Sequence, residues 1–269
     1  MPSSLLSNQI SLPDAHPPVH EHSSGRCPVA DKHDFCPPQS GDSRSPCPAL
    51  NTMANHGYIN RDGKNVSAYD IHRGLKACYG LSTPLALFLS YVGFAMLRRA
   101  RPIDLYQIGK HNVIEHDASL VHHNTPGGEE YAPIKIDEAL VEELIEDVSG
   151  GHEAAKSEEP TPQSSLMDAV DVARSRVRRE KLSKPLDPVH AEIARGEMAI
   201  ILGVWEQKSK DKVGVPIDWM KRWLGHEQLP DGWRPDHTEG LLDVIRRAKE
   251  MRAVMERMQE EEALLSKAS

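Results

Sequence analysis

Residues 187–205 read DPVHAEIARGEMAIILGVW. Asp187 followed by Pro188 is a helix start, with a side-chain acceptor at the N-cap and a first helical residue that has no N–H to leave unpaired. Beyond it, Ile193, Glu197, Ile200, Ile201 and Val204 lie at offsets −4, 0, +3, +4 and +7 about Glu197, which is one face of a helix. A carboxylate in the middle of an apolar stripe is costly to bury without a partner or a task, and a desolvated carboxylate is suited to moving protons. Gly196 beside it allows another body to approach the helix closely.

The same period runs outward in both directions. Pro48 opens a helix over Ala49–His56, and Ser67 caps one whose face is Ile71, Leu75 and Cys78, with Gly80 as its stop. Thr83-Pro84 starts a helix that continues through Leu97. Residues 103–110 look extended, and 111–123 hold a short helix or turn. Asp137 caps Glu138–Val148, Ser165–Leu182 is amphipathic, Pro216–Leu224 is short and Trp-rich with Gly225 as its stop, and LPDGWRP (229–235) is a turn. No window alternates with period two, so the fold expected is all-α, a single compact helical domain. Residues 1–45, with seven prolines and four histidines, read as a flexible arm. Residues 46–236 form the body, with a surface linker at 151–163, and 237–269 a long C-terminal helix.

Composition removes several classes of function. The 269 residues carry 32 Lys+Arg against 40 Asp+Glu, a net charge of −8 that is a poor basis for nucleic-acid binding. Aromatics are 5%, too few for base-stacking platforms. Four cysteines at spacings of 9, 11 and 31, with no C-x-x-C, fit neither a disulfide scaffold nor a Cys₄ zinc site. The apolar run Leu85–Leu97 is 13 residues long and reads as a buried helix, since a span needs roughly 17–25. An integral membrane protein is therefore not expected. No basic start precedes an apolar run of signal-peptide length, which favours an intracellular protein.

Two further features bear on chemistry. Pro46-Cys47-Pro48 puts a cysteine at a helix N-cap, where free backbone N–H groups and the helix dipole favour thiolate. A thiolate there serves as a nucleophile, a redox thiol or a metal ligand; the bland alternative is a small buried hydrophobe. Glu115-His116-Asp117, followed by Ser119, sets an imidazole between two carboxylates, the makings of an acid/base relay or a hard-metal site. On a helix, Glu115 and Ser119 would lie one turn apart. His16, His20, His22 and His33 in the arm have the chemistry of metal ligands, but lone histidines in a polar tail usually just solvate.

Together, in this order, PCPALNTMANHGYINRDGKNV (46–66), GLSTPLALFLSYVGF (80–94), IEHDASLVHHN (114–124), ARGEMAIILG (194–203) and LPDGWRP (229–235) resemble the heme-thiolate peroxidase family in its short EHD-type branch, over roughly residues 46–236. The resemblance implies an oxidoreductase that uses H₂O₂ to form a ferryl heme and then oxygenates or oxidises small organic substrates, with halide oxidation as a further option. It implies heme b with Cys47 as the axial thiolate and the backbone N–H groups of Ala49 and Leu50 on the sulfur. It implies Glu197 as the acid–base, His116 as its hydrogen-bond partner and Asp117 as the residue that orients His116. Glu115, the His116 carbonyl and Ser119 would hold Mg²⁺ or Mn²⁺. That family is usually secreted, which stands against the intracellular expectation. The rivals are a non-catalytic helical heme-binding relative and a thiol-redox protein using Cys47.

The C-terminal helix, from Thr238 to about Ser266, carries a heptad seam independent of the resemblance: Leu241, Val244, Ala248, Met251, Met255, Met258 and Leu265, broken by Glu262. Its first half is expected to pack on the body, and Met251–Leu265 to reach past it to the same helix of a second subunit, giving a homodimer.

Overall fold

The computed structural model describes residues 21–22, 25–26, 29, 31–148, 166–208 and 213–268. The linker 151–163 and most of the arm lie outside the described residues. Helices dominate: α1 (Pro48–Asn55), α2 (Ala68–Tyr79), α3 (Thr83–Leu87), a π-helical turn Phe88–Val92, α4 (Gly93–Met96), α5 (Glu138–Glu146), α6 (Ala169–Lys181), α7 (Pro188–Trp205), α8 (Ile217–His226) and α9 (Leu241–Ala268). Among the described residues no helix is long and apolar enough to cross a membrane.

Start signals act largely where the sequence puts them. Ser67 and Asp70 form a capping box at α2, Gly80 ends that helix at φ 68°, and Asp137 and Asp187 cap α5 and α7. Several boundaries differ from the sequence reading. Ser82, not Thr83, caps α3, and Arg98 ends this helical segment in the left-handed region at φ 53°. α6 begins after its cap Asp168 and not at Ser165, because Leu166–Met167 instead form strand β3. Glu227, not Gly225, terminates α8 in a left-handed conformation. The stretch expected to be extended contains a 3₁₀ helix, Leu105–Gly109. Residues 111–123 are turns with no helix, so Glu115 and Ser119 are not one helical turn apart.

Strand content is small. Glu21–His22 (β1) pairs antiparallel with Gly25–Arg26 (β2). β3, Gln207–Lys208 (β4) and Val213–Pro216 (β5) make an antiparallel sheet in the order β3-β5-β4. Strands of two to four residues are too short to show a period of two.

The core is one cluster that runs from α1 and α2 to α6, α7 and α9. At one end Trp205 packs at a tilt of 36° against Trp233 with ring centroids 4.2 Å apart, while Tyr79 meets Trp205 and Trp223 edge-on at 6.1 and 6.4 Å. Such aromatic pairs each contribute about 0.5–1.5 kcal/mol beyond area burial.

Two expectations are corrected. Residues 31–45 of the supposed flexible arm form a strap packed on the body. The His33 ring stacks on Tyr58, Arg61 donates to the carbonyls of Lys32 and Asp34, and Cys36, which is disulfide-bonded, is buried. The buried guanidinium needs acceptors, and the strap backbone supplies them. The seam of α9 is real, but its partner is the chain's own α6 and α7. Val244, Met251 and Met255 are buried there and Met258 is partly buried, whereas Leu264 and Leu265 are exposed. Arg252 pairs with Glu192 and Lys181 with Glu262, holding α9 along the body almost to its end. The first part of the stretch expected to reach a second subunit, Met251 to Met258, is thus already covered by the body, while residues 259–265 are exposed.

Candidate active site

Between α1, α2, α4, the 114–122 loop and α7 lies an apolar cavity of about 310 Å³, a size typical of ligand sites. Its lining brings together Cys47, Ala49, Leu50, Glu115, His116, Ser119 and Glu197; Asp117 stays outside it. Residues some 150 apart in sequence therefore face one space.

Cys47 is the N-cap residue of α1; its sulfur makes no geometric cap hydrogen bond, but the backbone N–H groups of Leu50 and Ala49 are near enough to favour charge on it. The loop carrying it is clamped from behind. Asn51 accepts from Ser45 N–H at 2.8 Å, donates to the Ser45 carbonyl at 2.7 Å and donates to Glu227 Oε1 at 2.5 Å. Ser45 and Asn51 are fully buried. Tyr79 donates to the Ala49 carbonyl at 2.9 Å. Gly109 leaves room for Pro46, whose Cδ would come within 2.7 Å of any Cβ there. Burial pushes the Cys47 thiol up to about 11, with the charges of Glu197 and Glu227 acting the same way and the two N–H donors opposing. The helix start alone therefore does not bring the thiol below its ordinary value.

Across the cavity, α7 presents Glu197. Glu197, Ile200, Ile201 and Val204 of that stripe line the cavity together with Ala194, Met198 and Trp205, whereas Ala199 and Leu202 are buried away from it. Glu197 is 55% exposed into this space rather than sunk in the core. His116 is buried, with Nε2 3.7 Å from Glu197 Oε2. Its Nδ1 donates to the main-chain carbonyl of Asp117 at 2.7 Å. Burial pulls the imidazole pKa down, but the Glu197 carboxylate and the Asp117 carbonyl outweigh that, and the net shift is upward. The Asp117 carboxylate does not orient His116. It turns away and accepts from Thr125 N–H at 3.2 Å.

The 115–124 loop is held by α6. Arg176 donates to the Ala118 carbonyl at 2.7 Å and Arg179 to that of Ser119 at 2.8 Å. These bonds fix a turn in which Ala118 takes φ 64°, a left-handed value unfavourable for alanine. Arg176 is buried, lines the cavity, and keeps its Nε without a hydrogen-bond partner. Glu115 lies 2.8 Å from His111 Nδ1, and Ser119 Oγ accepts from the N–H groups of Val121 and His122 at 3.3 and 3.2 Å. Among the described residues no group of three or more His, Cys, Asp and Glu side chains is arranged to hold a metal ion.

Asn51, Glu227, Arg176, Arg179 and Gly109 escape sequence reasoning. Asn51 and Glu227 are 176 residues apart, and no local signal joins them. The arginines look like the polar face of an amphipathic helix.

The sequence aligns with a chloroperoxidase of Leptoxyphium fumago at 26% identity over 230 residues, 78% of this chain and 59% of that protein. The chain thus spans about three fifths of that relative's length. An aromatic peroxygenase of Cyclocybe aegerita is 26% identical over 153 residues, 50% of this chain and 40% of its own length. An aromatic peroxidase of Fusarium equiseti is 42% identical over 67 residues, 24% of this chain and 15% of its own. The profile of peroxidase family 2 matches residues 33–238, which take in the strap, both walls of the cavity and the Trp-rich end. This chain belongs to peroxidase family 2.

Proposed function

We propose that this chain is a heme-thiolate peroxidase or peroxygenase that uses H₂O₂ to oxidise or oxygenate small apolar organic substrates. The observation that carries the reading is the opposition, across one apolar cavity, of a cysteine at a helix start and a carboxylate backed by a buried histidine. The names of the relatives, chloroperoxidase and aromatic peroxygenase, support the same class. Residues 46–236 with the strap would form the catalytic unit.

The residues present suit heme by their chemistry. The cavity offers one soft sulfur donor, apolar walls for a flat macrocycle and, in Arg176 Nε, a buried unpartnered donor for its acidic edge. Cys47 would hold the iron, with the Ala49 and Leu50 N–H groups holding the charge on sulfur. Heme held by thiolate supplies peroxide activation, because electron donation from sulfur favours O–O cleavage. Glu197 takes a proton at a carboxylate oxygen from one end of H₂O₂ and returns it to the other end, so that the departing oxygen leaves as water. His116 faces Glu197 Oε2 and keeps it aimed into the cavity, and the Asp117 carbonyl keeps His116 in place. Apolar walls keep bulk water from competing with substrate.

Mg²⁺ or Mn²⁺ would take oxygen donors from Glu115, the His116 carbonyl and Ser119 Oγ. In support, Glu115 and Ser119 both line the cavity. Elemental analysis of heme-replete protein tests this, and finding neither metal rules it out.

Heme-loaded protein given isotope-labelled hydrogen peroxide and a panel of aromatic and aliphatic compounds tests the main reading. Labelled oxygen in the product marks peroxygenation, and unlabelled coupled products mark peroxidation. No peroxide-dependent oxidation of any compound would contradict the proposal.

A further inference from the structure

Residues 83–97 contain no charged side chain, yet the helical segment they form is not buried. Its inner face, with Leu85, Ala86, Ser90 and Phe94, is sunk into the body. Its outer face displays Leu87, Phe88, Tyr91 and Val92, each 39–49% exposed. A water-facing helix surface is normally polar, and a helix apolar all round is normally covered on all sides. The 13-residue run read from sequence as a buried helix is therefore only half covered.

At the end of the segment the chain turns at Arg98 (φ 53°), and Arg98, Arg99 and Arg101, which follow the apolar face in sequence, are all exposed. Among the described residues none of these three side chains makes an ion pair or hydrogen bond. In a chain of net charge −8, three arginines without ion-pair partners at the C-terminal end of a segment that exposes aromatic and aliphatic side chains form a local exception. That exception is effective within a Debye length of about 8–10 Å.

We propose that this face docks on an anionic lipid surface as a peripheral contact. Arginine stems lie along apolar material while the guanidinium stays at the headgroups, and a tyrosine ring suits the same boundary. The segment from 83 to 96 rises about 21 Å at 1.5 Å per residue, short of the roughly 30 Å hydrocarbon core, so it lies on the surface and does not span it. Its inner face lines the cavity through Leu89, Ser90 and Phe94. Docking would set the cavity one helix away from the acyl chains.

The test uses heme-loaded full chain and vesicles of phosphatidylcholine alone or mixed with phosphatidylserine. Co-sedimentation is expected with the phosphatidylserine vesicles and should weaken as salt is raised. Phe88→Ser with Tyr91→Ser should lose at least about tenfold in partition. Arg99→Gln with Arg101→Gln should lose about fivefold per residue, the usual worth of a basic side chain near an anionic surface. Neither pair lines the cavity, so solution turnover and the thermal midpoint report that both variants are folded. Equal retention on both vesicle types, or unchanged retention in either variant, overturns the proposal. A doubled mass without vesicles that the serine pair abolishes would assign the face to a second copy and overturn it as well.

Discussion

His116 donates from Nδ1 to the main-chain carbonyl of Asp117 at 2.7 Å, while the Asp117 side chain is engaged with Thr125 N–H. An imidazole held by backbone keeps its aim whatever the neighbouring side chain is. Asp117→Asn is therefore expected to change turnover by less than about fivefold, the size of one ordinary hydrogen bond, since an amide oxygen can accept the same Thr125 N–H. Steady-state kinetics decide the matter. A loss as large as that of His116→Ala would mean that the carboxylate itself is used.

Glu197→Gln keeps the size of the side chain and removes the base. Heme binding should survive, and peroxide-driven turnover should fall by about 10²–10⁴-fold, the usual worth of a general acid–base group. Wild-type-like turnover in this variant would remove Glu197 from the mechanism.

The clamp behind Cys47 gives a stability prediction. Asn51→Ala deletes four hydrogen bonds and leaves the half-buried Glu227 carboxylate without its Asn51 donor. An unfolding cost of about 2–4 kcal/mol is expected, combining lost bonds with stranded polar groups. Faster heme loss should accompany it, because the loop carrying the ligand loosens. Denaturant titration with unchanged stability would show that the clamp is not holding the loop.

Strap docking should depend on pH. His33 Nδ1 lies 3.0 Å from the His56 carbonyl, His56 Nδ1 lies 2.8 Å from the His33 carbonyl, and His56 Nε2 accepts from Leu229 N–H at 3.1 Å. An imidazole accepting at Nε2 is neutral. Burial lowers both histidines below the ordinary 6.5, only partly offset by the reciprocal carbonyls. A lowered folded pKa means that the folded state binds fewer protons, so this stability is present above 6.5 and is lost as pH falls through the folded values. Amide exchange in residues 31–45 should accelerate on acidification below 6.5, and His33→Gln with His56→Gln should flatten that response. An identical pH response in wild type and variant would refute the linkage.

Local signals were strong enough to read much of the helical frame from the sequence. Asp187-Pro188 opens α7 and Ser67 caps α2 as expected, because capping chemistry acts within a few residues. The Cys47, His116 and Glu197 positions were legible because each breaks a local rule: a cysteine between prolines, an imidazole between carboxylates, a carboxylate on an apolar stripe. Features decided by distant partners were not legible. The seam of α9 reads correctly as a heptad, but nothing in a heptad says whether its partner is α6 and α7 or another subunit. Orientation of the 115–124 loop depends on Arg176 and Arg179, about 57 to 60 residues away, and on a left-handed alanine that no propensity favours. Strands of two residues are pairings made by the tertiary fold and leave no period to detect.

Cys47 is proposed above as the axial ligand of a bound heme. The direct measurement is the spectrum of the reduced, heme-loaded protein with carbon monoxide, in wild type and in Cys47→Ala, with circular dichroism confirming that both are folded. The account predicts the long-wavelength band of thiolate-ligated heme in wild type and its loss in the folded variant. The same band in Cys47→Ala, or a wild-type spectrum of histidine-ligated heme, would contradict it.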